Sequence, residues 1–159
     1  MLVPATSLDY RLIGVPGSVE MVEIGCRPTL SPNIDSKAVF AQIRGWIKIC
    51  DQNHEQCPKG SVMPPRRLLE IGDPLLPLHE GSVIQLREDI QERVRYIALS
   101  HCWGAKQPFT STLYTLPKRL ESISWSELPK TYQDALHVAQ ELGIRFVWID
   151  SLCIIQDSV

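Results

Sequence analysis

Two short apolar runs that end abruptly in small, polar and aromatic residues constrain this chain most. They are Tyr96-Ile-Ala-Leu-Ser-His-Cys-Trp-Gly104 and Phe146-Val-Trp-Ile-Asp-Ser-Leu-Cys-Ile-Ile-Gln-Asp157. Between them Tyr132, Ala135, Leu136, Ala139 and Leu142 recur at three- and four-residue steps, the spacing of one apolar helix face. Strand, helix, strand in that order predicts a β-α-β unit with a right-handed crossover and parallel strands. Parallel strands deliver both carboxyl ends to one sheet edge, where open α/β folds bind their ligands.

The punctuation around this unit supports it. Thr131 stands where it can cap the helix, with Asp134 three residues on as in a capping box. Gly143 stands where a left-handed residue ends a helix. Residues 144–149 are apolar apart from Arg145, the pattern of a central strand covered on both faces. A sheet that ended at this strand would leave its far edge unpaired. Residues 104–130, with Pro108, Pro117 and Pro129, read as a polar connection.

Upstream, Asp35 or Ser36 can cap a helix over residues 35–50, with Val39, Ile43, Trp46, Ile47 and Cys50 on its apolar face. Trp46 and Trp148 read as core residues. Gly45 weakens that helix by up to ~1 kcal/mol without forbidding it. Residues 51–60 read as a loop. Residues 67–71 and 82–87 are short strands parted by turn signals, a small β element in front of the main sheet. Residues 1–34 carry Pro4, Pro16, Pro28 and Pro32 and read as an irregular arm with one strand candidate at 18–24. The expected organisation is therefore 1–34, 35–92 and 93–159.

Sixteen basic and 18 acidic residues give a net charge of -2, so nothing favours nucleic acid or an anionic membrane as partner. No apolar run approaches the ~20 residues of a membrane helix. The first residues lack the basic and apolar regions of a signal peptide. Five scattered cysteines then read as reduced thiols of a cytoplasmic protein.

Two constellations carry chemistry. At the strand ends, Ser100, His101, Asp150 and Ser151 offer hydrogen bonds to ribose or phosphate. Trp103 offers a face for stacking a base or nicotinamide, and Gly104 offers close backbone approach. The alternative is that Trp103 plugs the sheet end and Asp150 caps the next turn. His101 and Cys102 point to opposite sides of an extended chain and do not form a base–nucleophile pair. Cys153 reads as a buried structural thiol. The second constellation is Cys50, His54 and Cys57, three zinc-type ligands within eight residues. A closed site needs a fourth, from Cys26, His79 or Cys102. The alternative there is that Cys50 completes the apolar face and His54 is solvated.

These residues also carry a resemblance. Pro64-Pro-Arg-Arg-Leu-Leu-Glu-Ile71, the 96–104 run, Leu128-Pro-Lys-Thr-Tyr-Gln-Asp-Ala135 and the segment from Leu142 to Ser158 resemble, in order, the fungal heterokaryon-incompatibility (HET) domain. The resemblance covers residues 96–159 firmly. Trp46, Cys50, His54, Cys57 and the 67–69 run resemble the segment that often precedes it. It implies a cytosolic effector of non-self recognition whose activation leads to programmed cell death. It also implies a partial Toll/interleukin-1 receptor (TIR)-like fold, a flavodoxin-like parallel sheet flanked by helices. Some members of that wider superfamily cleave NAD, and others act by homotypic or heterotypic assembly. The catalytic glutamate of the NAD-cleaving enzymes lies on a later helix, and Glu141 is a poor substitute. The expectation is an incomplete domain with no catalytic residue assigned. A non-catalytic interaction module and a zinc-stabilised fragment are the alternatives.

Overall fold

The computed structural model describes residues 36–57, 59–104 and 109–158. The expected arm, its strand at 18–24 and Cys26 lie outside them. Four strands form one sheet: β1 (Arg67–Glu70), β2 (Gln85–Glu88), β3 (Tyr96–Leu99) and β4 (Phe146–Ile149). Their order is β2-β1-β4-β3. As the sequence predicts, β3 and β4 are parallel, in register from Tyr96↔Phe146 to Leu99↔Ile149. The expected separate β element is instead continuous with them. β1 pairs antiparallel with both β2 and β4, so the sheet is mixed and the far edge of β4 is covered.

The packing explains why β1 enters the sheet. Leu86, Leu69, Val147 and Ile97 are register partners across all four strands, and partners in register share a face. Leu69, Leu86 and Val147 are buried in one cluster, with Ile97 packed against it. Without β1 this row would be broken and the β4 backbone groups left unpaired, which is costly in a core. Leu68 and Glu70 are buried as well, as befits a strand with neighbours on both sides.

Glu70 is 4% exposed. It accepts from Arg87 Nη1 at 3.1 Å and Gln85 Nε2 at 3.0 Å, and pairs with Arg145. A buried carboxylate is tolerated only when paired and hydrogen-bonded. Here its partners come from β2 and from the residue preceding β4, so the same contacts staple three neighbouring strands.

Four helices complete the described fold: α1 (Lys37–Asn53), α2 (Leu116–Glu121), α3 (Lys130–Glu141) and α4 (Asp150–Cys153). A 3-10 turn (Trp125–Glu127) and α2 occupy the stretch expected to be an irregular connection. α1 begins as expected, with the Ser36 hydroxyl accepting the Val39 N–H at 3.3 Å. It runs three residues past the expected end because no breaker intervenes; the chain turns extended at His54.

Only Phe40 is buried on α1. Its ring meets His137 of α3 edge-on at 6.2 Å, and Arg44 donates to the Glu141 carbonyl at 2.7 Å. This contact ridge turns Trp46 outward. It is 51% exposed and is not a core residue. Trp148 is half-buried against the main cluster.

α3 starts one residue earlier than expected. Pro129 occupies the N-cap, with no side-chain cap. Thr131 therefore lies within the first turn, and Asp134 pairs with Lys130 four residues back. The C-terminus is as expected: Gly143 has φ +70°, its N–H donates to Gln140 O at 2.8 Å and that of Ile144 to Ala139 O at 2.9 Å. That pair of bonds is the Schellman motif.

Candidate functional site at the carboxyl edge of the parallel strands

The parallel register brings residues 100 and 150 out at the same edge. The Trp103 indole crosses from the β3 side and donates to both oxygens of Asp150, at 3.1 and 2.9 Å. Oδ1 of the same carboxylate accepts the Ser151 N–H at 2.7 Å. Asp150 opens α4, the single helical turn that follows β4. Its charge is thereby held by donors from both strand ends.

Behind this pair lies a buried polar contact. The Tyr132 and Ser151 hydroxyls are 2.6 Å apart, and Ser151 is fully buried. Tyr132 meets the His101 ring edge-on at 5.3 Å. His101 Nδ1 is buried and has no hydrogen-bond partner among the described residues. Ser100 is exposed. Gly104 is also exposed, with φ +71° and nothing within 4 Å of where a Cβ would stand. Glycine there serves a left-handed backbone rather than a close approach.

The six candidates thus fall into three sets. Trp103 and Asp150 engage each other, Ser151 is committed to the interior, and Ser100, His101 and Gly104 remain at the edge. Cys153 is buried, and burial pushes its thiol up to about 11. Its sulfur accepts the Ile149 N–H at 3.4 Å, which fits the structural role expected of it. Surface grooves of about 540 and 590 Å³ open elsewhere, lined among others by Phe40, Trp125 and Lys130, and by Arg67, Trp148 and Ile155. None of the six candidates lines either.

Residues that the sequence reading passes over support the edge. Ser111 is fully buried; its N–H donates to Ser151 O and its carbonyl accepts from Gln156 N–H, both at 2.8 Å. Its hydroxyl accepts from Arg119 Nη1 at 2.9 Å. The Arg119 guanidinium lies 4.3 Å from the Phe109 ring centroid, and desolvation lowers its pKa. An arginine on a short helix with a serine eight residues before it carries no local signal. Tyr132 did carry one: a hydroxyl on an otherwise apolar stripe needs a buried partner.

The second constellation is also assembled. The ligand atoms of Cys50, His54 and Cys57 all lie within 4.8 Å of one another, with His54 Nδ1 3.3 Å from the Cys50 sulfur. A hydrogen bond with Cys57, followed by burial, raises the Cys50 pKa. Neither His79 nor Cys102 joins this group. The four described cysteines are free thiols. No helix among the described residues is long and apolar enough to cross a membrane.

No curated protein and no solved structure matches the chain. Residues 96–159, which hold β3, β4 and every strand-end candidate, match the family model described as heterokaryon incompatibility protein (HET). Over this segment, and not over residues 36–95, the chain is similar to the heterokaryon incompatibility domain.

Proposed function

We propose that the chain serves heterokaryon incompatibility in the cytoplasm through a nucleotide site at the carboxyl edge of β3 and β4. NAD is the candidate ligand, and programmed cell death the outcome. On this reading the β3-α3-β4 unit is the front of a TIR-like, flavodoxin-like crevice. The supporting observation is the Trp103–Asp150 pair bridging two parallel strand ends. Beside it in the chain lies His101, whose buried Nδ1 has no hydrogen-bond partner among the described residues. Sheet edges of this kind bind nucleotides because strand ends and the following helical turn expose backbone and polar groups together.

In this arrangement Asp150 accepts ribose hydroxyls, and the Trp103 face stacks against a flat ring. His101 Nδ1 takes a ligand hydroxyl, and Ser100 reaches a phosphate from the rim. These residues bind and orient, and none of them is assigned to bond cleavage. The test follows the Trp103 indole signal during NAD titration, together with nicotinamide release. Saturable change that is weakened by Asp150→Ala and Trp103→Ala is expected. An indole signal indifferent to millimolar-range NAD sinks the proposal.

A second reading is homotypic assembly without catalysis. β3 is an edge strand whose described pairing is to β4 alone, and open edges recruit further strands. It predicts concentration-dependent oligomers, no NAD loss, and suppression of assembly by a proline within β3.

A further inference from the structure

We infer that Cys50, His54 and Cys57 form a zinc site at the end of α1, outside the matched domain segment and independent of any ligand at the strand edge. Cys50 lies in the last turn of α1, and His54 is its C-cap. Cys57 closes the next turn, its N–H donating to His54 O at 3.3 Å. One helix end therefore presents three donors on a short, turn-constrained stretch of backbone. Tetrahedral zinc with Zn–S of about 2.3 Å and Zn–N of about 2.0–2.1 Å places these sulfur and nitrogen atoms about 3.5–3.8 Å apart. His54 Nδ1 and the Cys50 sulfur already stand at 3.3 Å. No pair in the group exceeds 4.8 Å, so closure needs a contraction of roughly 1 Å, within the reach of side-chain rotation.

The donor set selects the ion. Two thiolates and an imidazole suit zinc, whereas calcium and magnesium take oxygen ligands. Two thiolates also neutralise the dication, so the half-buried site carries no net charge. Asp51, the carboxylate beside Cys50, is engaged by Arg95. With three protein donors, the fourth position of the tetrahedron is open to water.

The location gives the metal a mechanical role. Asp51 pairs with Arg95, the residue before β3. Val62 and Val94 exchange both backbone hydrogen bonds at 2.9 Å. Zinc at residues 50–57 therefore braces the end of α1 to the segment that leads into β1 and lies alongside the entry to β3.

The test uses the full chain, purified reduced and without chelator. Metal analysis is expected to find one zinc per chain. Cobalt titrated into the metal-stripped chain is expected to give thiolate-to-cobalt charge-transfer absorption that zinc abolishes. Cys50→Ser, His54→Ala and Cys57→Ser each lose stoichiometric loading, while Cys102→Ser keeps it. Absence of both zinc and the cobalt band from the wild-type chain overturns the site, whatever the variants do. A Cys50–Cys57 disulfide in the reduced preparation, or a cobalt band that survives in the Cys50→Ser, Cys57→Ser double variant, overturns it equally.

Discussion

Tyr132 and Ser151 offer a sharp test of how the strand edge is held. Their hydroxyls, 2.6 Å apart, join α3 to the first turn after β4, and each is the other's only described side-chain partner. Tyr132→Phe removes one hydroxyl and keeps the ring edge that contacts His101. It strands a fully buried Ser151 hydroxyl, at a cost of about 1–3 kcal/mol for an unsatisfied group. Ser151→Ala strands the Tyr132 hydroxyl at a similar cost. Removing both leaves nothing unsatisfied, so the double variant should fall well short of the sum. Two singles of about 2 kcal/mol should give a double of roughly 2–3 kcal/mol, a coupling of about 1–2 kcal/mol. Urea unfolding followed by both tryptophan fluorescence and circular dichroism measures all four corners. With a slope of about 1–3 kcal/mol/M, each single should lower the midpoint by about 1 M. Strictly additive singles, or singles that each cost under about 0.5 kcal/mol, would refute a shared buried hydrogen bond.

Four further outcomes follow from the same structure. Gly143→Ala forces a side chain into φ +70° with nothing nearby to clash, so it should cost only the backbone penalty of about 1–2 kcal/mol, read as a lower unfolding midpoint. Leu69→Ala empties the centre of the row that crosses all four strands and should cost about 2–5 kcal/mol in the same assay. Cys153 has its pKa raised from 9.0 to about 11 by burial, so the folded state favours the neutral thiol. Its contribution is fully present below pH 9 and is lost as pH rises through 9 to 11, a fall of about 2–3 kcal/mol that Cys153→Ala should remove from the stability–pH profile. In native alkylation the exposed Cys102 should react first and Cys153 only on unfolding.

Much of the frame was legible in the residues because its signals are local. Ser36 and Gly143 act on backbone groups within a few residues of themselves. The apolar runs of β3 and β4, joined by an amphipathic stretch, leave a right-handed crossover as the favoured connection. The meeting of Trp103 with Asp150 follows from that parallel register, and the clustering of Cys50, His54 and Cys57 from the turn after a helix end. Thr131 shows how far local signals reach. Threonine followed by aspartate three residues on is a fair start signal, yet Pro129 took the cap because its extended backbone already turned the chain into the helix.

Only the tertiary structure decided where β1 goes, which face of α1 is covered, and what the buried polar groups meet. β1 was readable as a strand, but its place beside β4 depends on completing the Leu86–Leu69–Val147–Ile97 row, whose members lie far apart in sequence. Glu70 looks like a surface residue until β2 and Arg145 close over it. Trp46 looks like core until Phe40 and Arg44 take the contact with α3. Periodicity says that a helix has an apolar face and a strand has two sides. Which of them is buried is set by partners brought together from distant parts of the chain, where burial and hydrogen-bond satisfaction outweigh local preference.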